Sequence, residues 1–224
     1  MSVEIAELDF NGIKFKVAHE PEKGHTLFTH QDEDVVRKRW WKIGTGDVVL
    51  DIGAAFGSYS LIALAQGGAF AFCWSPQGEA GLLRESLKAN GWDDRALIIE
   101  SGLWSEEGFL QVYDGPPMST FTKDPPENPT GAVIKVKTVD DSSSLWEGWQ
   151  ITWLKIDVEG AEEHVLRGAR KVIESHRPKI LVENHEFKDS GLRDRCKEFL
   201  ASCGYREVET VPHHGVSHSL YEPV

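Results

Sequence analysis

Residues 46–61, GDVVLDIGAAFGSYSL, constrain the fold more than any other stretch of this chain. The apolar residues Val48, Val49 and Leu50 end in a carboxylate, Asp51. Small residues follow at Gly53, Ala54, Ala55 and Gly57, and an apolar segment resumes from Ser58 to Leu64. A short continuous apolar run fits a strand buried on both faces, as in a parallel sheet. The glycines allow a tight turn and let a ligand lie against bare backbone. The amides that open the next helix suit an anionic group. The pattern is therefore a buried strand, a tight turn and a helix N-terminus, with or without a ligand.

Two ligand classes fit such a turn, a dinucleotide and S-adenosylmethionine. A dinucleotide fingerprint requires G-x-G-x-x-G. Counted from Gly53, the second glycine is Ala55 and the third is Ser58, a poor match. Asp51, two residues before the first glycine, favours the second class, because an acid there can meet the ammonium of an amino-acid tail.

A chain of 224 residues fits one large domain, or one domain with a small appendage. The expected division is an N-terminal hairpin and helix over 1–42 and the main domain over 43–224. No apolar run is long enough to span a membrane, and MSVEIAELDF is unlike a secretion signal. Cys73, Cys196 and Cys203 are odd in number and lack metal spacing, which points to a reduced, cytoplasmic setting. The 24 basic and 36 acidic residues give a net charge of −12, which argues against a nucleic-acid partner. The eight tryptophans are read mainly as core, with some left for a pocket.

Along the chain, residues 3–9 and 13–17 alternate around Asn11-Gly12, a hairpin signal. A short helix is expected over 31–41, with acids early and bases late. Strands are expected at 69–74, 96–100, 109–113, 132–138, 151–156 and 179–183. Helices are expected at 58–66, 77–89, 161–174 and 191–202. The proline-rich segment 114–131 reads as a loop and a candidate lid. Two last strands, 205–210 and 216–221, close the sheet as a hairpin. The alternation of strands and helices means an α/β, Rossmann-like, doubly wound sheet. Ligands of such sheets bind at the carboxyl ends of the strands.

Carboxylates collect at those ends. The expected strands finish at Asp51, Asp157 and Glu183, with Glu159 and His185 close behind. Such crowding is repulsive unless a cation sits among the acids. Asp157 and Glu159 have a plainer reading as caps of the helix at 161, and His185 as a polar loop residue. Spacing alone assigns no metal. A divalent ion on Asp157, Glu159 and Glu183, orienting a vicinal diol, is the alternative. His213, His214 and His218 fit no zinc pattern and read as structural or surface groups. His164 reads as a solvated helix residue, and Trp40-Trp41 as packing.

LKIDVEGAEEHVLRGA (154–169) followed by PKILVENHEF (178–187) resembles the FkbM family of S-adenosylmethionine-dependent methyltransferases. GDVVLDIGAAFGSYSL resembles the cofactor loop of that family, and TVDD (138–141) its acidic turn before the fourth strand. The resemblance covers roughly residues 30–221. It implies the seven-stranded class I methyltransferase sheet. It also implies methyl transfer from S-adenosylmethionine to a hydroxyl of a small molecule or sugar. It places the cofactor against Asp51, Gly53, Ala54, Ala55, Phe56, Gly57 and Ser58. Cys73 and Trp74 at the second strand, and Gly102, Leu103 and Trp104 after the third, complete that expectation. Asp157, Glu159, Glu183 and His185 are the expected catalytic group, with Asp157 where donor and acceptor meet.

One departure stands out. The family phrase resembling AFEPxP is AFCWSP here (71–76), so Cys73 replaces the acid that accepts the ribose hydroxyls. A thiol is a weak partner for them, although Trp74 could stack near the adenine. A methyltransferase-like binding protein with impaired catalysis is therefore the main rival. An NAD-dependent oxidoreductase is a weaker one, since Asp51 and the 154–169 motif argue against it.

Overall fold

The computed structural model describes residues 2–23, 31–76, 80–112, 119–127, 131–213 and 215–224. The chain forms two compact units, residues 1–100 with 152–155, and residues 101–151 with 156–224.

In the first unit, β1 (Glu4–Phe10) and β2 (Ile13–His19) form the antiparallel hairpin that the alternation predicts. Asn11 and Gly12 both take positive φ, 53° and 84°, as a tight two-residue turn demands. Asp9 accepts the Gly12 amide across it. The hairpin is tied to the helix Ala80–Asn90, where Ser86 Oγ accepts the Ala18 amide and Asn90 the Lys16 amide. α1 (Gln31–Arg39) carries its bases in the last turn, and buried Arg37 pairs with Glu33 and Asp34. Trp41 behind it is packing: its ring meets Tyr59 and Trp153 edge-on, and its Nε1 donates to the Tyr59 carbonyl. β3 (Val48–Ile52) is buried at every position, which is why its sequence does not alternate. α2 (Ser58–Ala65), β4 (Phe70–Trp74), α3 (Ala80–Asn90) and β5 (Ala96–Ile99) complete the unit. β3–β4 and β4–β5 pair in parallel. Residues 77–79 of the expected helix 77–89 lie outside the described residues.

The second unit begins with β6 (Gly102–Leu103), β7 (Gly108–Val112), β8 (Ser119–Thr122) and β9 (Ala132–Lys137). They form a separate sheet in the order β6-β9-β7-β8. β8 corrects the reading of 114–131 as loop throughout. Its Phe121 stacks on Trp104 at 5.8 Å, and β8 pairs antiparallel with β7. Residues 113–118 and 128–130, where the lid was expected, lie outside the described residues.

β10 (Trp153–Ile156) follows a 3-10 segment, Asp140–Trp146. Then come α4 (Glu162–Gly168), α5 (Arg170–His176), β11 (Lys179–Asn184), α6 (Leu192–Ser202), β12 (Tyr205–His213) and β13 (Val216–Pro223). A seven-stranded sheet runs β12-β13-β11-β10-β3-β4-β5. Its last hairpin is antiparallel, both within itself and against β11. Among the described residues no helix is long and apolar enough to cross a membrane.

The single helix expected over 161–174 is two helices, broken at Ala169. Gly168 is a weak helix former just before the break, and the fold adds two causes of its own. Asp140 accepts the amides of Lys171 and Val172, which an unbroken helix would send to carbonyls four residues back. The acidic TVDD turn is thus a helix cap delivered from a distance. Gly168, the last residue of α4, passes so close to Trp104 that an added Cβ would land on the Trp104 carbonyl oxygen. Gly168→Ala is accordingly expected to cost roughly 1–3 kcal/mol by forcing two backbones apart. Chemical denaturation measures it, and a loss within noise would mean that the contact yields freely.

Candidate active site

The turn after β3 has left-handed geometry at Gly53 (φ 78°), Ala55 (φ 47°) and Gly57 (φ 85°). Gly57 caps α2, and a Cβ there would run into Leu83. The amides of Gly53 and Ala54 bond to the Trp74 carbonyl at 3.1 and 2.8 Å, which ties the turn to the end of β4. Phe56 and Ser58 are half-buried, and Ser58 opens the helix.

Asp51 is fully buried, and its carboxylate is already engaged. Oδ2 accepts the Ser60 amide at 3.1 Å and the Ser60 hydroxyl at 2.6 Å, so Asp51 caps the first turn of α2 from the preceding strand. The ammonium it meets belongs to the chain itself. Lys155 Nζ lies 3.4 Å from Oδ1 and donates to the Gly53 carbonyl at 2.9 Å. The structure places Asp51 under the turn, where it holds Ser60 and Lys155. Cys73 stands opposite Asp51 in the β3–β4 register, fully buried, with Sγ 3.1 Å from Ser60 Oγ. Burial and the Asp51 carboxylate push its thiol well up from the ordinary range. Trp74 is buried as well. At this position the structure shows a core contact between Cys73 and Ser60.

In the second unit, Gly102 and Leu103 are β6, held by β9, and the Trp104 amide donates to Lys137. Trp104 stacks on His164 at 3.8 Å with the rings 12° from parallel. This corrects the reading of His164 as solvated, and burial holds its imidazole below the usual range.

The acids of the 154–187 region do converge. Asp157, Glu183 and His185 offer ligand atoms that all lie within 4.8 Å of one another. His185 Nε2 stands 3.8 Å from Asp157 Oδ1, 3.9 Å from Glu183 Oε1 and 3.5 Å from Glu159 Oε2. Glu159 itself is largely exposed, sits at φ 60° and pairs with Lys188. The organiser is Glu162, a residue absent from the sequence expectations. It is fully buried, and its Oε1 accepts the amides of Val158 and Gly160 and lies 2.7 Å from His185 Nδ1. The turn amides are thus held by Glu162 from inside the helix, where capping by Asp157 or Glu159 was the alternative. Burial pulls the His185 imidazolium down. The hydrogen bond to Glu162, with the charges of Glu162, Asp157 and Glu159, outweighs this and raises it to about 9. His218, read as a structural or surface group, is buried opposite Glu183 on β13, its Nε2 3.2 Å from Glu183 Oε2. His213 and His214 have no described side chain.

A mostly parallel sheet of seven strands, a left-handed turn after β3 and acids at the ends of the inner strands define the class I methyltransferase fold. Residues 51–207 match the model of the methyltransferase FkbM domain, and this chain belongs to the FkbM methyltransferase family. It is similar to the hexuronic acid methyltransferase AglP of Haloferax volcanii, 26% identical over 188 residues, 83% of this chain and 75% of that protein. Its fold matches methyltransferase FkbM from Methylobacillus flagellatus with a TM-score of 0.58 at 19% identity. That match covers 79% of this chain, which spans only 43% of the Methylobacillus chain. A structure of SMU.776 complexed with SAH matches with a TM-score of 0.54 at 13% identity, over 98% of this chain and 56% of that one.

Proposed function

We propose that this chain transfers a methyl group from S-adenosylmethionine to an oxygen of a small sugar-like acceptor, with uronic acids the first class to test. One observation carries the reading: the family match over 51–207 takes in both the left-handed turn and the acid–histidine cluster. The hexuronic acid named for the Haloferax relative and the SAH named for SMU.776 support the choice of acceptor and donor.

The turn suits the cofactor through its backbone. α2 opens at Gly57 in left-handed geometry, and the amides of a helix's first turn suit the carboxylate of an amino-acid tail. Gly53, Ala54, Ala55, Phe56, Gly57 and Ser58 would hold that tail, with Asp51 and Lys155 keeping the turn in shape from below. S-adenosylmethionine, when bound, supplies an electrophilic methyl group. The acid–histidine cluster handles the acceptor. Asp157 and Glu183 offer oxygens to its hydroxyls. His185 Nδ1 is engaged by Glu162, so the base is a carboxylate, and Asp157 is the more exposed of the two.

Calorimetric titration with S-adenosylmethionine, followed by transfer of labelled methyl to a panel of uronic acids and sugars, tests the proposal. Asp157→Asn should keep the fold by circular dichroism and lower turnover at least about tenfold. No binding of S-adenosylmethionine at about millimolar concentration would sink the reading. A binding role without catalysis is the second reading, favoured by Cys73 in place of a ribose-binding acid. Tight cofactor binding with no transfer to any acceptor would select it. Nucleic acid is not proposed as a partner, in keeping with the net charge of −12.

A further inference from the structure

We infer that Asp157, Glu183 and His185 form a site for one divalent first-row metal ion, with Glu162 as the residue that positions His185. Glu162 Oε1 accepts two backbone amides, so it meets His185 as an acceptor, and the imidazole proton on that side sits on Nδ1. The other ring nitrogen, Nε2, then points at the oxygens of Asp157 and Glu183. Separations of 3.8 and 3.9 Å are too long for hydrogen bonds. They suit ligands sharing an ion, since atoms about 2.0–2.2 Å from one centre stand roughly 3–4 Å apart. A carboxylate behind a histidine that faces further carboxylates is the arrangement by which proteins fix the tautomer and aim of a metal-binding imidazole.

His218 is the independent observation. It is 2% exposed, and neither of its ring nitrogens makes a hydrogen bond among the described residues. Its Nε2 nevertheless lies 3.2 Å from Glu183 Oε2, misaligned for donation. A buried imidazole without a hydrogen bond, set 3.2 Å from one cluster carboxylate, fits Glu183 turning to an ion through Oε1 while it meets His218 through Oε2. One nitrogen and two carboxylate oxygens suit Mn2+ or Zn2+ better than Mg2+ or Ca2+, which prefer all-oxygen shells. Three protein ligands leave positions open. On the methyl-transfer reading, on which this role rests, those positions take two neighbouring oxygens of a uronic acid or a vicinal diol. The ion site itself does not depend on that reading.

The test uses the full chain stripped with chelator and titrated with Mn2+, with free ion followed by electron paramagnetic resonance. One ion per chain is expected, displaced by Zn2+. Asp157→Asn and Glu183→Gln should each weaken binding at least about tenfold. Glu162→Ala should weaken it similarly, while Glu162→Gln, which keeps an oxygen for Nδ1–H, should retain most of it. Thermal melts establish that each variant is folded. No binding of Mn2+ or Zn2+ at about millimolar concentration, or equal affinity in wild type and both ligand variants, overturns the site. Labelled-methyl transfer that persists in chelator overturns the ion's part in the reaction and leaves the methyltransferase reading standing. Ion binding without transfer to any acceptor supports the site and counts against that reading.

Discussion

Replacing Asp51 with alanine is expected to destabilise the protein by about 3–5 kcal/mol, one of the two largest effects anticipated for a single substitution here. Asp51 and Lys155 are almost wholly withdrawn from solvent, at 0% and 4% exposure. Removing the carboxylate takes from a buried ammonium the charge 3.4 Å away. It also strips the amide and hydroxyl of Ser60 of their acceptor, at the opening of α2. The cost therefore combines a lost charge pairing with a lost helix cap. Asp51→Asn keeps an acceptor and should lose less. Lys155→Met in the Asp51→Ala background should recover part of the loss, because it removes the buried charge. Urea denaturation measures all three, and the alanine variant should melt roughly 6–20 °C below wild type. A loss under about 1 kcal/mol would mean that solvent reaches Lys155 and that the network is not a folding element.

That expectation reassigns a residue whose role looked plain in the sequence. Asp51 was legible as the acid at the end of a buried strand, and the strand, turn and helix around it fold as the pattern implies. Its partner was less legible, although a signal existed. Lys155 interrupts the apolar run ITWLKI, and a lysine in a central strand has to find a buried carboxylate. Asp51 in β3, next to β10 in the sheet, is that carboxylate. Glu162 was obscured differently. The motif places four acids within seven residues, 157–163, and spacing alone does not say which of them turns inward. The helix direction decides it, aiming Glu162 back at the amides of the turn it follows. The break at Ala169 was obscured for a third reason. Its cause, Asp140, lies some thirty residues away and reaches α5 only through the fold. The apolar period runs on through Val172 and Ile173 despite the local hint of Gly168, and tertiary capping overrides it.

Cys73 poses the sharpest choice. If the position faced a bound ribose, Cys73→Glu would restore an acceptor for two hydroxyls and tighten binding of S-adenosylmethionine by about tenfold. The geometry predicts the opposite sign. Cys73 is fully buried, lies opposite Asp51 across the strand pair, and touches the same serine that Asp51 holds. A glutamate would overfill that space and set a second carboxylate beside the first, with a single lysine to answer both. The expected loss is about 3–5 kcal/mol, with weaker cofactor binding wherever the turn loosens. It should also depend on pH. In the unfolded chain the new carboxyl ionises near its ordinary pKa of about 4.3. In the folded chain, burial and Asp51 would raise that value. A raised folded pKa means that the folded state holds its proton longer, so the variant loses stability relative to wild type as pH climbs above that point. The melting-temperature gap should therefore be smaller near pH 4, where only overfilling counts, and should widen toward pH 7. Cys73→Ala, which removes the thiol and adds no charge, should show no such widening. A glutamate variant that melts with wild type at pH 7 and binds S-adenosylmethionine more tightly would return Cys73 to the cofactor site.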